Sequence, residues 1–177
     1  MTHLSDAEVA EAPELTVEGG LVLCDLIPER RVPPREGTFQ RVLDGGSRTV
    51  RVASVDILPC GDDAVVLRAL LDLHVRTPLP RGRVVCTGDE LRAATSFLVP
   101  DLQLTDEQVY FTLKRLLAAM VTVTQHGPGG GTVMFNFISD LEIDAHETAD
   151  RFVLSRVTVS LPERTLRLGR AGAAPQG

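Results

Sequence analysis

The sequence has no tryptophan, one tyrosine and six phenylalanines, so aromatic rings cannot dominate its interior. A core of any size must come from Val, Leu and Ala. Lysine is nearly absent too: Lys114 is the single one among 18 basic residues, an arginine bias that fits GC-rich, bacterial-type coding and carries no functional weight. With a net charge of −6 and acids spread along the chain, no broad basic surface of the kind that neutralises phosphates is expected, and nucleic acid is excluded as a partner on that ground. Cys24, Cys60 and Cys86 are odd in number and far apart, with no C-x-x-C spacing, so they read as buried free thiols of a reducing compartment. No apolar run approaches the roughly 18 residues of a membrane span, and residues 1–12 are acidic without an apolar stretch. A cytoplasmic protein with no membrane partner is the expectation.

Catalytic and cofactor motifs are missing as well. Gly127-Pro-Gly-Gly-Gly131 is the most conspicuous loop, but no Gly-Lys-Ser/Thr follows it, so it reads as a helix-to-strand connector. His3, His74, His126 and His146 show neither H-x-H nor H-x-x-x-H spacing, and no G-x-S-x-G or S-x-x-K occurs. No cofactor and no metal are expected.

At 177 residues the chain can bury close to ~70% of its unfolded surface as one domain. The expected organisation is a flexible tail over 1–12, one domain over 13–168, and a Gly/Ala/Pro-rich tail over 169–177. Within the domain the dominant pattern is period two between Gly, Pro and Asp clusters, which predicts half-buried strands. Thr38–Leu43 is a short strand before the Asp44-Gly45-Gly46 turn. Thr49–Leu58 and Ala64–Arg76 alternate across the Pro59–Asp63 turn cluster as a first hairpin. Thr132–Asp144 and Arg151–Leu161 form a second, similar in length and pattern, and convergent chemistry explains that similarity as well as duplication does.

One segment breaks the pattern. Thr105 with Gln108 makes a capping box, Asp106 and Glu107 suit the positive end of a helix dipole, and Leu104 with Val109 makes a hydrophobic staple. Val109, Leu113, Leu116, Leu117 and Met120 recur at helical spacing, which predicts a helix over about 105–125 whose β-branched tail Val121–Thr124 is open to fraying or strand. A second capping box, Thr87 with Glu90, opens a short helix over Leu91–Ser96.

These signals predict a mainly β (α+β) protein: an antiparallel sandwich or partly closed barrel of about six to eight strands, with one main helix packed on the sheet. The function expected is a non-catalytic binding or assembly module, homo-oligomeric or joined to another protein. The alternative is a small-molecule-binding barrel, or a small isomerase or cyclase, taking a small hydrophobic molecule inside a curled sheet. Under that alternative His74 and Asp72 are the acid and base and Arg68 and Arg76 bind ligand, because all four share the polar face of their expected strand. A solvated face with ordinary ion pairs is the plainer reading of the same four. Asp140, Glu142 and Asp144 alternate on another strand, either as paired carboxylates or as charges that keep an edge strand from pairing.

Overall fold

A computed structural model describes residues 18–30, 37–55 and 57–171. The expected tail over 1–12 lies outside them. The described chain is α+β, with five α-helices and seven strands in two antiparallel sheets. In order these are α1 (Leu23–Leu26), β1 (Thr38–Leu43), β2 (Arg48–Ala53), α2 (Asp63–Arg76), β3 (Arg83–Cys86), α3 (Gly88–Leu98), α4 (Asp106–Ala118), β4 (Met120–Gln125), β5 (Thr132–Asn136), β6 (Asp140–Glu147), β7 (Phe152–Ser160) and α5 (Glu163–Ala171). One sheet has the order β1-β2-β4-β5 and the other β3-β7-β6.

The strand number and antiparallel pairing agree with the sequence reading, and two sheets fit a sandwich coarsely. A single main helix and a closing barrel are not what forms. The largest correction is Ala64–Arg76, which is helix α2 and not a strand. Its apolar residues satisfy both periods, but Val66, Leu67, Leu70 and Leu71 recur at i, i+1, i+4 and i+5 and are all buried. A run of thirteen residues rich in Leu and Ala also exceeds an ordinary strand while suiting a helix. The Pro59–Asp63 cluster is therefore a helix start: the Asp63 carboxylate reaches back to accept the Cys60 N–H at 3.0 Å. With the first hairpin gone, the two-hairpin likeness goes too. Asp44-Gly45-Gly46 instead turns β1 directly onto β2.

Helix α4 begins at the Thr105 cap, as its capping box requires, but stops at Ala118. Asn136 Nδ2 donates to the carbonyls of Leu117 and Ala119 at 3.2 and 3.0 Å, satisfying two of the orphan acceptors at that end. The β-branched Val121–Thr124 then enters β4. Gly127–Gly131 consequently joins two paired strands, β4 and β5, rather than a helix and a strand. Phe137 and Ile138, both fully buried, carry the chain from β5 in one sheet to β6 in the other. The α3 helix forms from its capping box as expected. Helix α5 was not anticipated, and it runs through 169–171 to Ala171.

Candidate functional site

Helices α3 and α4 follow one another through a seven-residue connection, and both start on a Thr cap. Thr87 Oγ1 accepts the Glu90 N–H at 3.1 Å, and Thr105 Oγ1 accepts the Gln108 N–H at 3.2 Å. Asp106, in the first turn of α4, fixes the pair. One carboxylate oxygen accepts Arg92 Nε of α3 at 2.7 Å, and the other accepts the Leu154 N–H of β7 at 2.8 Å. Three elements thus meet on one carboxylate whose side chain is 10% exposed. The approach is close enough that Gly88 has no room for a side chain: a Cβ there would sit 2.8 Å from both Cβ and the carbonyl oxygen of Leu154. Ser96 Oγ donates to the Leu102 carbonyl at 3.3 Å and ties the connection to α3. A buried ion pair anchors the same unit to α2, where Asp63 accepts Thr112 Oγ1 at 2.7 Å and Arg115 at 2.7 and 2.9 Å.

The inner side of α4 buries Val109, Thr112, Leu113 and Leu116, which leaves Glu107, Gln108, Phe111 and Lys114 facing out. Lys114 Nζ lies 5.4 Å from the Tyr110 ring centroid and 5.9 Å from that of Phe111. The Tyr110 ring in turn packs 5.4 Å from Phe152 at the start of β7. One surface therefore carries a cation, three aromatic rings, of which Phe111 is exposed, and the tip of the β6–β7 hairpin, where Arg151 is exposed. Acids share it: Asp89 and Glu107 stand at the two helix starts, and Glu147 and Asp150 flank Arg151 at the hairpin tip.

The residues singled out from sequence lie elsewhere. Arg68, Asp72, His74 and Arg76 are on α2, where residues two apart point in nearly opposite directions. Arg68 Nε pairs with Asp72 at 3.5 Å, His74 Nδ1 lies 3.4 Å from the Arg83 carbonyl, and Arg76 stacks over Phe97 at 5.7 Å. Asp72 and His74 both line a cavity of about 280 Å³ with Leu71, Pro78 and Leu166, while Arg76 lines a different groove. Asp140, Glu142 and Asp144 are all exposed along β6, an edge strand. Of the cysteines only Cys86 is buried; burial, with Glu90 nearby, pushes its thiol up to about 12. Among the described residues no group of His, Cys, Asp or Glu is placed to hold a metal ion, and no helix is long and apolar enough to cross a membrane. Sequence reasoning had marked Asp106 only as a dipole partner and gave no role to Tyr110, Phe111 or Lys114. The helical spacing of Val109, Leu113 and Leu116 was the available signal, because it leaves Lys114 off the apolar stripe.

No family model and no curated protein matches the sequence. Solved structures do match. The chain is similar to a selenomethionine derivative of domains 2 and 3 of RctB, with a TM-score of 0.60 and 13% identity over 90% of this chain and 63% of that one. It is also similar to a second structure of RctB domains 2 and 3, with a TM-score of 0.57 and 14% identity over 80% of this chain and 57% of that one. The chain spans less than two thirds of either, and at this identity the likeness is one of fold. It overturns the exclusion of nucleic acid. A net charge summed over a whole chain says nothing about where its few cations are placed.

Proposed function

We propose that this chain is a non-catalytic DNA-binding and assembly module of the replication-initiator type, with α3–α4 as a helix-turn-helix and β6–β7 as its wing. The observation that carries the reading is the element order. Leaving aside the β4–β5 hairpin inserted after α4, the chain runs α2, β3, α3, α4, β6, β7, and the sheet order β3-β7-β6 places the last strand between the first and the hairpin partner. That is the arrangement of a winged helix-turn-helix, in which the second helix of the pair enters the major groove. The likeness to RctB domains 2 and 3 supports the same reading. On α4, Lys114 with Tyr110 and Phe111 offers a charge for phosphate beside rings for apolar contact with base edges and sugars.

Charge sets the expected strength. Lys114 and Arg151 are exposed cations on this surface, so about two phosphates are neutralised and log K falls with log salt at a slope of about −2. Asp89, Glu107, Glu147 and Asp150 oppose them. Binding to duplex DNA is therefore weak and salt-sensitive, suited to a module that acts beside others. Fluorescence anisotropy with a labelled 20-base-pair duplex over a salt series tests this. Lys114→Glu is expected to weaken binding several-fold and to make the slope shallower by about one. A full-length chain that shows no duplex binding at low salt contradicts the reading.

Self-association is part of the proposal, and a specific surface supports it. On the outer face of the β1-β2-β4-β5 sheet the register aligns Gln40, Arg51, Thr122 and Met134, with Val42 beside them. Val42 and Met134 are each 59% exposed, and Arg51 is the one charge on that face. On a chain of net charge −6, this is a face that a second copy approaches with little repulsion.

A further inference from the structure

The two edges of the smaller sheet are treated differently. On β6, Asp140, Glu142 and Asp144 are all exposed, a row of charge that deters another strand. On β3 there is no such row, and Val85 is 41% exposed. Strand β7 covers only one side of β3. The Leu161 N–H donates to the Gly82 carbonyl at 2.9 Å, so the bonds to β7 fall at Gly82, Val84 and Cys86, and the peptide groups of Arg83 and Val85 face the other way. His74 meets the Arg83 carbonyl on that side. No described strand lies there to take the N–H and C=O of Val85.

A groove of about 580 Å³ runs along this same stretch of β3, between the end of α2 and α3. Leu73, Val84, Ala94 and Phe97 line it, with Arg76 and Glu90 at its rim. Phe97 is 76% exposed and held under the Arg76 guanidinium. Arg81 and Arg83 are exposed beside the strand. Three arginines against one glutamate make this a locally cationic site on a chain of net charge −6.

We propose that the open edge of β3 and its groove receive an extended acidic segment of a partner protein by strand addition. Main-chain bonds to Val85 hold the segment, one apolar side chain enters the groove beside Val84 and Phe97 next to the Arg76 guanidinium, and acids on the segment's opposite face lie against Arg83. The opposite spacing of acids and apolar residues in the segment follows from the two-residue period of a strand. The surface is separate from α4 and the β6–β7 tip, and the proposal does not depend on DNA binding.

The probe is a fluorescein-labelled peptide, Glu-Val-Glu-Leu-Glu-Val-Glu, titrated with the full chain and compared with its Lys-Val-Lys-Leu-Lys-Val-Lys counterpart. Saturable binding of the acidic peptide only is expected, weakened at least about tenfold by Arg76→Glu and by Val85→Pro. Proline at Val85 removes an N–H that faces away from β7, so the existing ladder is kept, and far-UV circular dichroism checks the fold. Equal binding of both peptides, no binding, or binding that survives both substitutions overturns the proposal. Affinity that rises tenfold when residues 1–12 are deleted overturns the external partner in favour of the chain's own acidic segment. A dimer that Arg76→Glu dissolves overturns it in favour of a second copy.

Discussion

Arg92 meets two carboxylates, and the structure says that only one of them matters for stability. Asp106 has a side chain 10% exposed and receives both Arg92 Nε at 2.7 Å and the Leu154 N–H at 2.8 Å. Asp89 also pairs with Arg92, but its side chain is 87% exposed. Asp106→Asn keeps the shape and puts an amide donor against either Arg92 or Leu154, both of which are donors. One charge-assisted hydrogen bond is lost and a partly buried donor is left facing another, together worth ~1.5–3 kcal/mol. The first-turn charge of α4 adds up to ~1 kcal/mol more. The expected destabilisation is about 2–4 kcal/mol, a drop in Tm of roughly 5–15 °C for a chain this size. Asp89→Asn removes a solvent-screened pair and is expected to cost about 0–1 kcal/mol. Urea unfolding of the two variants and of Arg92→Met gives the comparison, with the cycle through Asp106→Asn and Arg92→Met isolating the shared bond. Equal costs for the two carboxylates, or less than ~0.5 kcal/mol at Asp106, would refute the claim that this residue joins α3, α4 and β7.

Three further outcomes follow from the packing. Gly88→Ala drives a Cβ to 2.8 Å from Leu154 backbone and side chain, so α3 must shift; a loss of about 1–3 kcal/mol is expected in the same denaturation assay, although alanine is the better helix former. Asn136→Ala leaves the Leu117 and Ala119 carbonyls without their cap, which is expected to cost about 1–2 kcal/mol and to fray the end of α4 in amide hydrogen exchange. Cys24 is exposed and Cys86 is buried with its thiol pushed up to about 12, so a thiol reagent at pH 8 is expected to label the native chain at Cys24 and spare Cys86 until it unfolds. Because the folded thiol holds its proton above the ordinary value of 9.0, its contribution to stability is complete below about pH 9 and is lost as pH rises towards about 12, where Cys86→Ala should flatten the decline.

What the sequence disclosed depended on whether a local signal had a competitor. The capping boxes at Thr87 and Thr105 have none, because a Thr hydroxyl three residues before a Glu or Gln side chain satisfies two backbone donors only in a helix start, and both helices begin there. The β-branched run Val121–Thr124 and the alternation through Arg151–Leu161 likewise became strands. Ala64–Arg76 failed because Leu, Val and Ala at nearly every position satisfy both periods, and only contacts with α3 and α4 decide between them. That one substitution of helix for strand left Arg68, Asp72 and Arg76 on one face of α2 at i, i+4 and i+8 and turned His74 away from them. The surface on α4 was legible in part. Helical spacing alone sets Lys114 beside Tyr110 and off the apolar stripe, but the contact of Tyr110 with Phe152, 42 positions further on, exists only once β7 packs against α4. Charge misled in the same way, since a sum over 177 residues hides the sorting of acids onto β6 and of arginines onto the β3 edge.

The central claim is that the α4 face and the hairpin tip meet DNA together. Backbone amide shifts of the full chain, recorded by NMR during titration with a 20-base-pair duplex at low salt, test it most directly. The account predicts that shifts concentrate at 105–114 in α4 and 147–152 at the β6–β7 tip, and that Lys114→Glu diminishes both sets together. Shifts confined to the β1-β2-β4-β5 sheet or to the β3 edge, with α4 and the hairpin unmoved, would contradict it.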